Sequence, residues 1–390
     1  MMKKLLLLVW IGFLMGFTSP TPAQAKSFLP QTTTDSTVKP LCLPGVYLQD
    51  PQDCLPLGPA QQLTELARTT AYQYPDTPLP AYRPAPDLTR APVNIARINL
   101  PENEKAPLYA TFDDAINGTN PTRYIDPGEL RYVSYIDVQY YNNKPWIRLR
   151  SGEWMRASPV AYSTFQGLIF KRTPTHNFGW IMDTVEVRSA PGYNAPTTGK
   201  IHYRENVVPI YAVQPANNTD WFMIGANEWV ERRYIRQVVI NTNPPEGVTN
   251  DRWIEVNLFE QTLAVYENRQ LVFATLVASG GEPFFTRPGL HQIYQKKELE
   301  TMSGAFEADR SDYYYLEDVP WTMYFDQARA LHGAYWRTLF GYAGTHGCVN
   351  LSIGDSKWLF DWAKEGDWVY VWDPSGQTPT DPNFYGAGGA

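Results

Sequence analysis

The chain has 390 residues, 43% of them hydrophobic and 19% charged, with 13 Trp, 25 Tyr and 17 Phe. That stock of large apolar side chains excludes a chain disordered throughout, and the length points to two or three domains. Its 33 Pro and 27 Gly exclude a long-helix or coiled-coil protein, and a formal charge of −7 leaves no basic surplus to hold a nucleic acid.

At the start, Lys3 and Lys4 precede an apolar run from Leu5 to Phe17, then Thr18-Ser19-Pro20 and a small-residue site at Ala23-Gln24-Ala25. This is the layout of a cleavable secretory signal over 1–25, and the run is too short to span a bilayer. An uncleaved anchor is the alternative. Cleavage removes two lysines and no acid, so the formal charge moves from −7 to −9. No later apolar stretch has the length of a transmembrane helix. The expectation is an exported protein, secreted, periplasmic or in the cell wall, with no stable membrane anchor after cleavage.

Export changes how the cysteines read, because disulfides persist outside the reducing cytoplasm. Cys42 and Cys54 flank a segment too poor in apolar residues for its own core, and a bridge there would stabilise by roughly 2–3 kcal/mol through loop closure. Cys42 is not in a lipobox next to the signal, which argues against a lipid anchor. Cys348 is then unpaired, and an odd cysteine in an exported chain is a reactive thiol or an intermolecular link. Between Leu29 and Pro92 there are 12 prolines, interrupted by one helical candidate near Pro59–Thr70. Segment 26–92 therefore reads as an extended linker, with Tyr72, Tyr74 and Tyr82 as anchors should it wrap the next domain.

Two similar segments follow. Trp146 and Trp154 are eight residues apart, as are Trp221 and Trp229, and each second Trp follows a Glu. Short β-branched and aromatic runs lie upstream (Tyr132–Tyr141, Val185–Arg188 and Val207–Val213), broken by Gly, Pro and Asn turns. The spacing predicts two small antiparallel barrels over 93–165 and 166–241. The tryptophan hairpins resemble those of bacterial SH3-like modules, a family associated with peptide and cell-wall binding. The plainer reading is that the tryptophans fill each core.

After a turn-rich break at Asn243–Gly247, three alternating runs, Trp253–Leu258, Gln261–Tyr266 and Leu271–Val277, predict a β-meander. Ser352 with Asp355 three residues on predicts a capped helix that shows Trp358, Leu359 and Trp362 on one face and stops at Gly366. A strand follows at Trp368–Trp372, and 375–390 reads as a flexible tail.

The chemistry-bearing stretch is His332-Gly333, then Thr345-His346-Gly347-Cys348-Val349-Asn350. Two of the chain's five histidines fall within 16 residues of its unpaired cysteine. A thiol near neutral pH needs an adjacent imidazole to become a thiolate, and backbone N–H groups aimed at the developing oxyanion, which a small residue such as Gly347 permits. His176, His202 and His291 have no metal-ligand spacing and read as surface or turn residues.

These residues resemble the signature of the YkuD-type L,D-transpeptidases: His, a spacer, then [Ser/Thr]-His-Gly-Cys-hydrophobic-[Asn/Arg]. The likeness extends over about 250–372, with Trp253–Val256 and Gln261–Leu263 similar to the family's first hairpin. Ser279-Gly280-Gly281 stands at the place of a Ser-Thr-Gly, and Arg287-Pro288-Gly289 at that of a Thr-Pro-x-Gly, with Arg287 replacing the Thr. The fold so implied is mainly β: two small SH3-like barrels, then a YkuD-type β-sandwich with one helix, at 247–374. The implied activity is peptidoglycan cross-linking on stem peptides, open to carbapenem-type inhibitors and needing no cofactor or metal. Cys348 would be the nucleophile, His332 the base oriented by the carbonyl of Gly333, and the amides of Gly347 and Cys348 the oxyanion hole lined by His346. Residues 302–321 would form a lid with Gly304 as hinge and Tyr313-Tyr314-Tyr315 as contacts. Trp336, Tyr324, Tyr315, Thr345 and Asn350 are the candidate substrate-binding residues.

Three rival readings are weighed against this one. An NlpC-type cysteine peptidase usually places Cys before His, whereas here His332 comes first. A non-catalytic wall-binding protein sits badly with an intact Cys and His. An L,D-carboxypeptidase would use the same acyl-enzyme with water as acceptor.

Overall fold

The computed structural model describes residues 79–82, 91–162, 167–307, 309–310 and 312–385. The signal segment, the helical candidate at 59–70 and the Cys42–Cys54 pair lie outside these residues.

Two seven-stranded sheets carry the site. The first runs, in spatial order, Ala81–Tyr82, Leu168–Phe170, Gln270–Leu276, Thr262–Glu267, Arg252–Asn257, Trp368–Trp372 and Gly289–Gln292. Its centre is the predicted meander, and Asn268 and Arg269 both take positive φ in the hairpin turn, as a tight two-residue loop requires. Trp368–Trp372 joins in parallel, with Trp253 opposite Trp368. The meander was expected to alternate between core and solvent, yet both faces are buried. Ile254, Val256, Leu263, Val265 and Phe273 point into one core, while Trp253 and Tyr266 stack at 4.6 Å on the other. Phe178, Trp180, Met182 and Val238 from the preceding segment cover that second face. Burying a side chain of this size contributes about 1.5–3 kcal/mol, which is why the outer face is not left to water.

The second sheet runs Val349–Leu351, Arg329–Gly333, Tyr314–Asp326, Leu130–Tyr135, Asn94–Arg97 and Ser158–Pro159, with Gln295–Gly304 also paired to Tyr314–Asp326. The helix Ile353–Trp362 is capped by Ser352, whose hydroxyl accepts from the Asp355 N–H. Leu359 enters the core between the sheets, and Trp358 stacks on Phe273 at 4.2 Å. Asp355 does more than mark the helix start: its buried carboxylate accepts from Gly167 N at 3.1 Å and Thr275 Oγ1 at 2.7 Å. The helix ends before Gly366, at Ala363, whose backbone is already extended. Gly366, at φ +92°, instead turns the chain toward its last strand.

The two predicted barrels are not closed among the described residues. The tryptophan hairpin of 93–165 lies in an open five-stranded sheet, Pro121–Ile125, Ala106–Tyr109, Trp154–Arg156, Lys144–Arg148 and Asp137–Tyr141. Its neighbour Leu130–Tyr135 leaves that sheet and pairs in parallel with Tyr314–Leu316. Segment 166–241 divides into a five-stranded sheet and a separate three-stranded one, Val207–Ile210, Asn177–Ile181 and Ile235–Val238. Trp154 and Trp221 are buried, with Trp221 Nε1 donating to Ala216 O at 3.2 Å, while Trp146 and Trp229 are half-buried. The chain past Ser375 makes a short 3₁₀ turn, Pro382–Phe384, and Tyr385 donates to Pro379 O at 2.5 Å.

Candidate active site

The site is built on two parallel neighbours, Arg329–Gly333 and Val349–Leu351. Leu331 lies opposite Val349 and His332 opposite Asn350. Alternation along a strand therefore turns Ala330, His332 and Asn350 to one face, with Cys348 one step before its strand. The thiol is seated against the histidine strand's start: Ala330 N donates to Sγ at 3.3 Å and Sγ–H to Ala328 O at 3.7 Å.

Cys348 and His332 are each only 1% exposed. Burial pushes the Cys348 thiol up to about 11 against the pull of the Ala330 N–H and the Arg329 charge. It pushes His332 down to about 4, opposed by the Gly333 carbonyl. At neutral pH the resting pair is a thiol and a neutral imidazole. His332 Nδ1 faces Gly333 O at 3.4 Å, so a proton on Nδ1 leaves Nε2 as the basic nitrogen. Trp336 leans on the imidazole at 5.6 Å and stands edge-on to Tyr335 at 4.9 Å, which places it as a wall beside His332.

The turn before Cys348 is held from three sides. Gly347 takes φ +116°, in the region glycine tolerates, and a Cβ there would come 3.2 Å from Arg329 Nε. Thr345 Oγ1 accepts from Gly347 N at 3.2 Å and donates to Cys348 O at 2.6 Å. Thr345 thus clamps the turn, and the Gly347 amide points at its hydroxyl. Thr286 Oγ1 donates to Gly347 O at 2.8 Å and accepts from Gly280 N at 2.8 Å. The hydroxyl missing at Arg287 is therefore supplied one residue earlier, by Thr286.

The His346 ring packs among aromatic side chains. It stacks on Phe306 at 4.5 Å and packs against Phe284 at 5.0 Å and Tyr314 at 6.0 Å, with the Asp312 carboxylate nearby. The strands flanking the expected lid are antiparallel, with Gly304 paired to Tyr314 and Met302 to Leu316 and a register shift between Glu300 and Met302. Gly304 ends a strand, where its missing side chain leaves room for the Tyr314 ring, and does not form a hinge in a loop. Alternation also splits the three tyrosines. Tyr314 faces His346, while Tyr313 and Tyr315 pack against the core cluster of the preceding segment that includes Ile98, Leu108 and Val133. Tyr315 is thus removed from the cleft. Tyr324 stays: it pairs with Ala330, and burial, with the Glu300 carboxylate, holds its phenol well above the usual range. Asn350 is buried, and its Oδ1 has no hydrogen-bond partner among the described residues.

A charged cluster that the sequence did not announce sits behind the turn. Asp326 accepts from Arg329 Nη1 at 3.0 Å and from Arg287 Nε at 2.9 Å. His291 meets Arg287 O at 3.1 Å and packs on Phe325, while the Tyr385 ring lies 5.2 Å from the Arg329 guanidinium. Half-buried His291 thus belongs to this cluster. His176 and His202 are half-buried as well, each with an unpartnered buried Nε2 among the described residues.

Residues 251–371 match the YkuD family model, the L,D-transpeptidase catalytic domain. Among solved structures, the catalytic domain of an Enterococcus faecium L,D-transpeptidase is 27% identical, over 32% of this chain and 100% of that one, at a TM-score of 0.29. An L,D-transpeptidase from Stackebrandtia nassauensis is 27% identical over 34% of this chain, at a TM-score of 0.27, and the match spans 59% of its own length. One from Mycobacterium smegmatis is 17% identical over 53% of this chain and 89% of that one, at 0.30. No curated protein matches the chain.

Proposed function

We propose, from the L,D-transpeptidase catalytic domain formed by residues 251–371, that this protein is an exported enzyme that cross-links peptidoglycan through a thioester on Cys348. The observation that carries the reading is the placement of His332 on one of two adjacent parallel strands and of Cys348 at the start of the other, with the thiol seated on Ala330 N. Neutral His332 takes the Sγ proton through Nε2, and the thiolate attacks the amide carbon between the L- and D-centres of a donor tetrapeptide stem. The imidazolium then returns that proton to the departing D-alanine amine. The side-chain amine of a diamino acid on a neighbouring stem attacks the thioester carbon and frees the thiol. Trp336 and Tyr324 wall the cleft around the donor, and His346 anchors the hairpin tip above it.

Segments 93–165 and 166–241 serve as wall-binding modules in this reading, supported by exposed aromatic side chains such as Tyr124, Tyr140 and Tyr203. The E. faecium domain has been solved acylated by ertapenem, and the same chemistry should hold here. A carbapenem should acylate the signal-free protein once, Cys348→Ala should abolish the adduct, and His332→Ala should slow it by about 10²–10⁴. Intact-protein mass spectrometry that finds the adduct on the Cys348→Ala protein rejects the proposal.

A further inference from the structure

The loop that leaves the His332 strand carries a charge to which the reaction above gives no task. Arg337 follows Trp336, the wall beside the imidazole, and the chain turns there as Arg337 N donates to Ala334 O at 3.2 Å. The half-buried side chain reaches the loop that leads into the nucleophile turn, where Nη2 donates to Gly344 O at 2.8 Å. That loop is also held from the first sheet, since Gly344 N and Thr345 N both donate to Ser279 O, at 2.9 and 3.1 Å. One guanidinium thus joins the segment that follows His332 to the segment that precedes Cys348.

Most of its hydrogen-bonding capacity is unspent. A guanidinium is a planar fork of N–H donors, and among the described residues only Nη2 has an acceptor. Nε is buried without a partner, and no carboxylate among the described residues pairs with the charge. Gly344, at φ +145°, adds no side chain over the fork, where a Cβ would stand 3.8 Å from Nη2. A cation partly withdrawn from water and given no anion favours a ligand that offers it a carboxylate. The reaction brings one to this side of the site. His332 returns its proton to the amine of the departing D-alanine, and one carbon separates that amine from the carboxylate.

We propose that Arg337 is a specificity-determining residue that binds the terminal carboxylate of the donor stem and so selects stems ending in a free acid. The role rests on the acyl-transfer reading of the site. A merely structural Arg337 would brace Gly344 and treat a stem acid and its amide alike, which separates the two roles.

The test follows, by mass spectrometry, release of D-alanine from a disaccharide-tetrapeptide and of D-alaninamide from its C-terminal amide. The signal-free protein is compared with its Arg337→Gln and Arg337→Lys variants. The parent should favour the acid by about 10–100-fold in kcat/KM, the effect of a hydrogen bond to a charged group. Arg337→Gln should lose that preference by slowing on the acid alone, with release from the amide unchanged. Arg337→Lys, which keeps the charge without the fork, should keep a smaller preference for the acid. A parent that releases D-alaninamide as fast as D-alanine overturns the proposal without any variant, so a variant that fails to fold does not shelter it. A glutamine variant that keeps the parent's preference, or slows on both substrates by one factor, overturns it equally. Failure of the acyl-transfer reading shows separately, as a parent that releases neither product, and removes both claims.

Discussion

Thr286→Val is the sharpest perturbation of the site that leaves every reacting group in place. The substitution keeps the shape of the side chain and removes one hydroxyl. That hydroxyl is wholly buried, accepts from Gly280 N and donates to Gly347 O, each at 2.8 Å. The site cannot relax to find other partners, since a Cβ on Gly280 would already lie 2.8 Å from the Gly347 Cα. Two buried backbone groups left unpaired cost about 1–3 kcal/mol each, so the loss should be about 2–6 kcal/mol. Thr286→Ser keeps both bonds and deletes one methyl, for about 0.5–1.5 kcal/mol. Gly347 loses its outer tether, and a nucleophile displaced by about 1 Å slows acylation on the order of 10²-fold. Urea denaturation gives the first quantity and stopped-flow carbapenem acylation the second. A valine variant as stable and as fast as the serine one would refute the tether.

Glu255 sits on the buried face of the meander with Trp372 Nε1 donating to it at 3.2 Å, and burial pushes its carboxyl up to about 7. The folded state thus holds a proton that the unfolded state releases from about 4.5, so this stability is full below 4.5 and is lost as pH rises through 7. Glu255→Gln should match the parent near pH 4 and exceed it by about 3 kcal/mol at pH 8 in urea titrations. For His332 the sign is opposite: its folded value of about 4 lies below the usual 6.5, so about 3 kcal/mol present above 6.5 is lost as pH falls through 4, and His332→Phe should flatten that acid limb. Trp221→Ala should cost about 3–5 kcal/mol, the effect of emptying a core, and binding to insoluble peptidoglycan should fall only as far as folding does. Non-reducing peptide mapping of exported material should find Cys42 linked to Cys54 and Cys348 free, and two free thiols at 42 and 54 would contradict that pairing.

The parts of the site legible in the sequence are those that local chemistry fixes. The meander announces itself by period-two runs broken at Asn268-Arg269, and the helix by the Ser352 cap. His332 and Cys348 stand out because a thiol and an imidazole converge in a glycine-rich stretch. Long-range pairing was not legible. Nothing near Tyr314 shows that its strand continues, through Leu130–Tyr135, into a sheet formed more than 180 residues earlier. The tryptophan hairpins mark two antiparallel units, but whether the outer strands close on themselves depends on partners elsewhere, and Leu130 found one. Arg329 looks like an ordinary surface base until Asp326 turns it inward under Gly347. Thr286 was hidden by its neighbour, since the expected hydroxyl moved by one position.

The central claim is the transfer itself, and mass analysis of muropeptides tests it most directly. Disaccharide-tetrapeptides incubated with the signal-free protein should yield dimers joined through the L-centre carbonyl, each with loss of one D-alanine, and Cys348→Ala should yield none. Tetrapeptides left intact, or trimmed to tripeptides with no dimer formed, would contradict it.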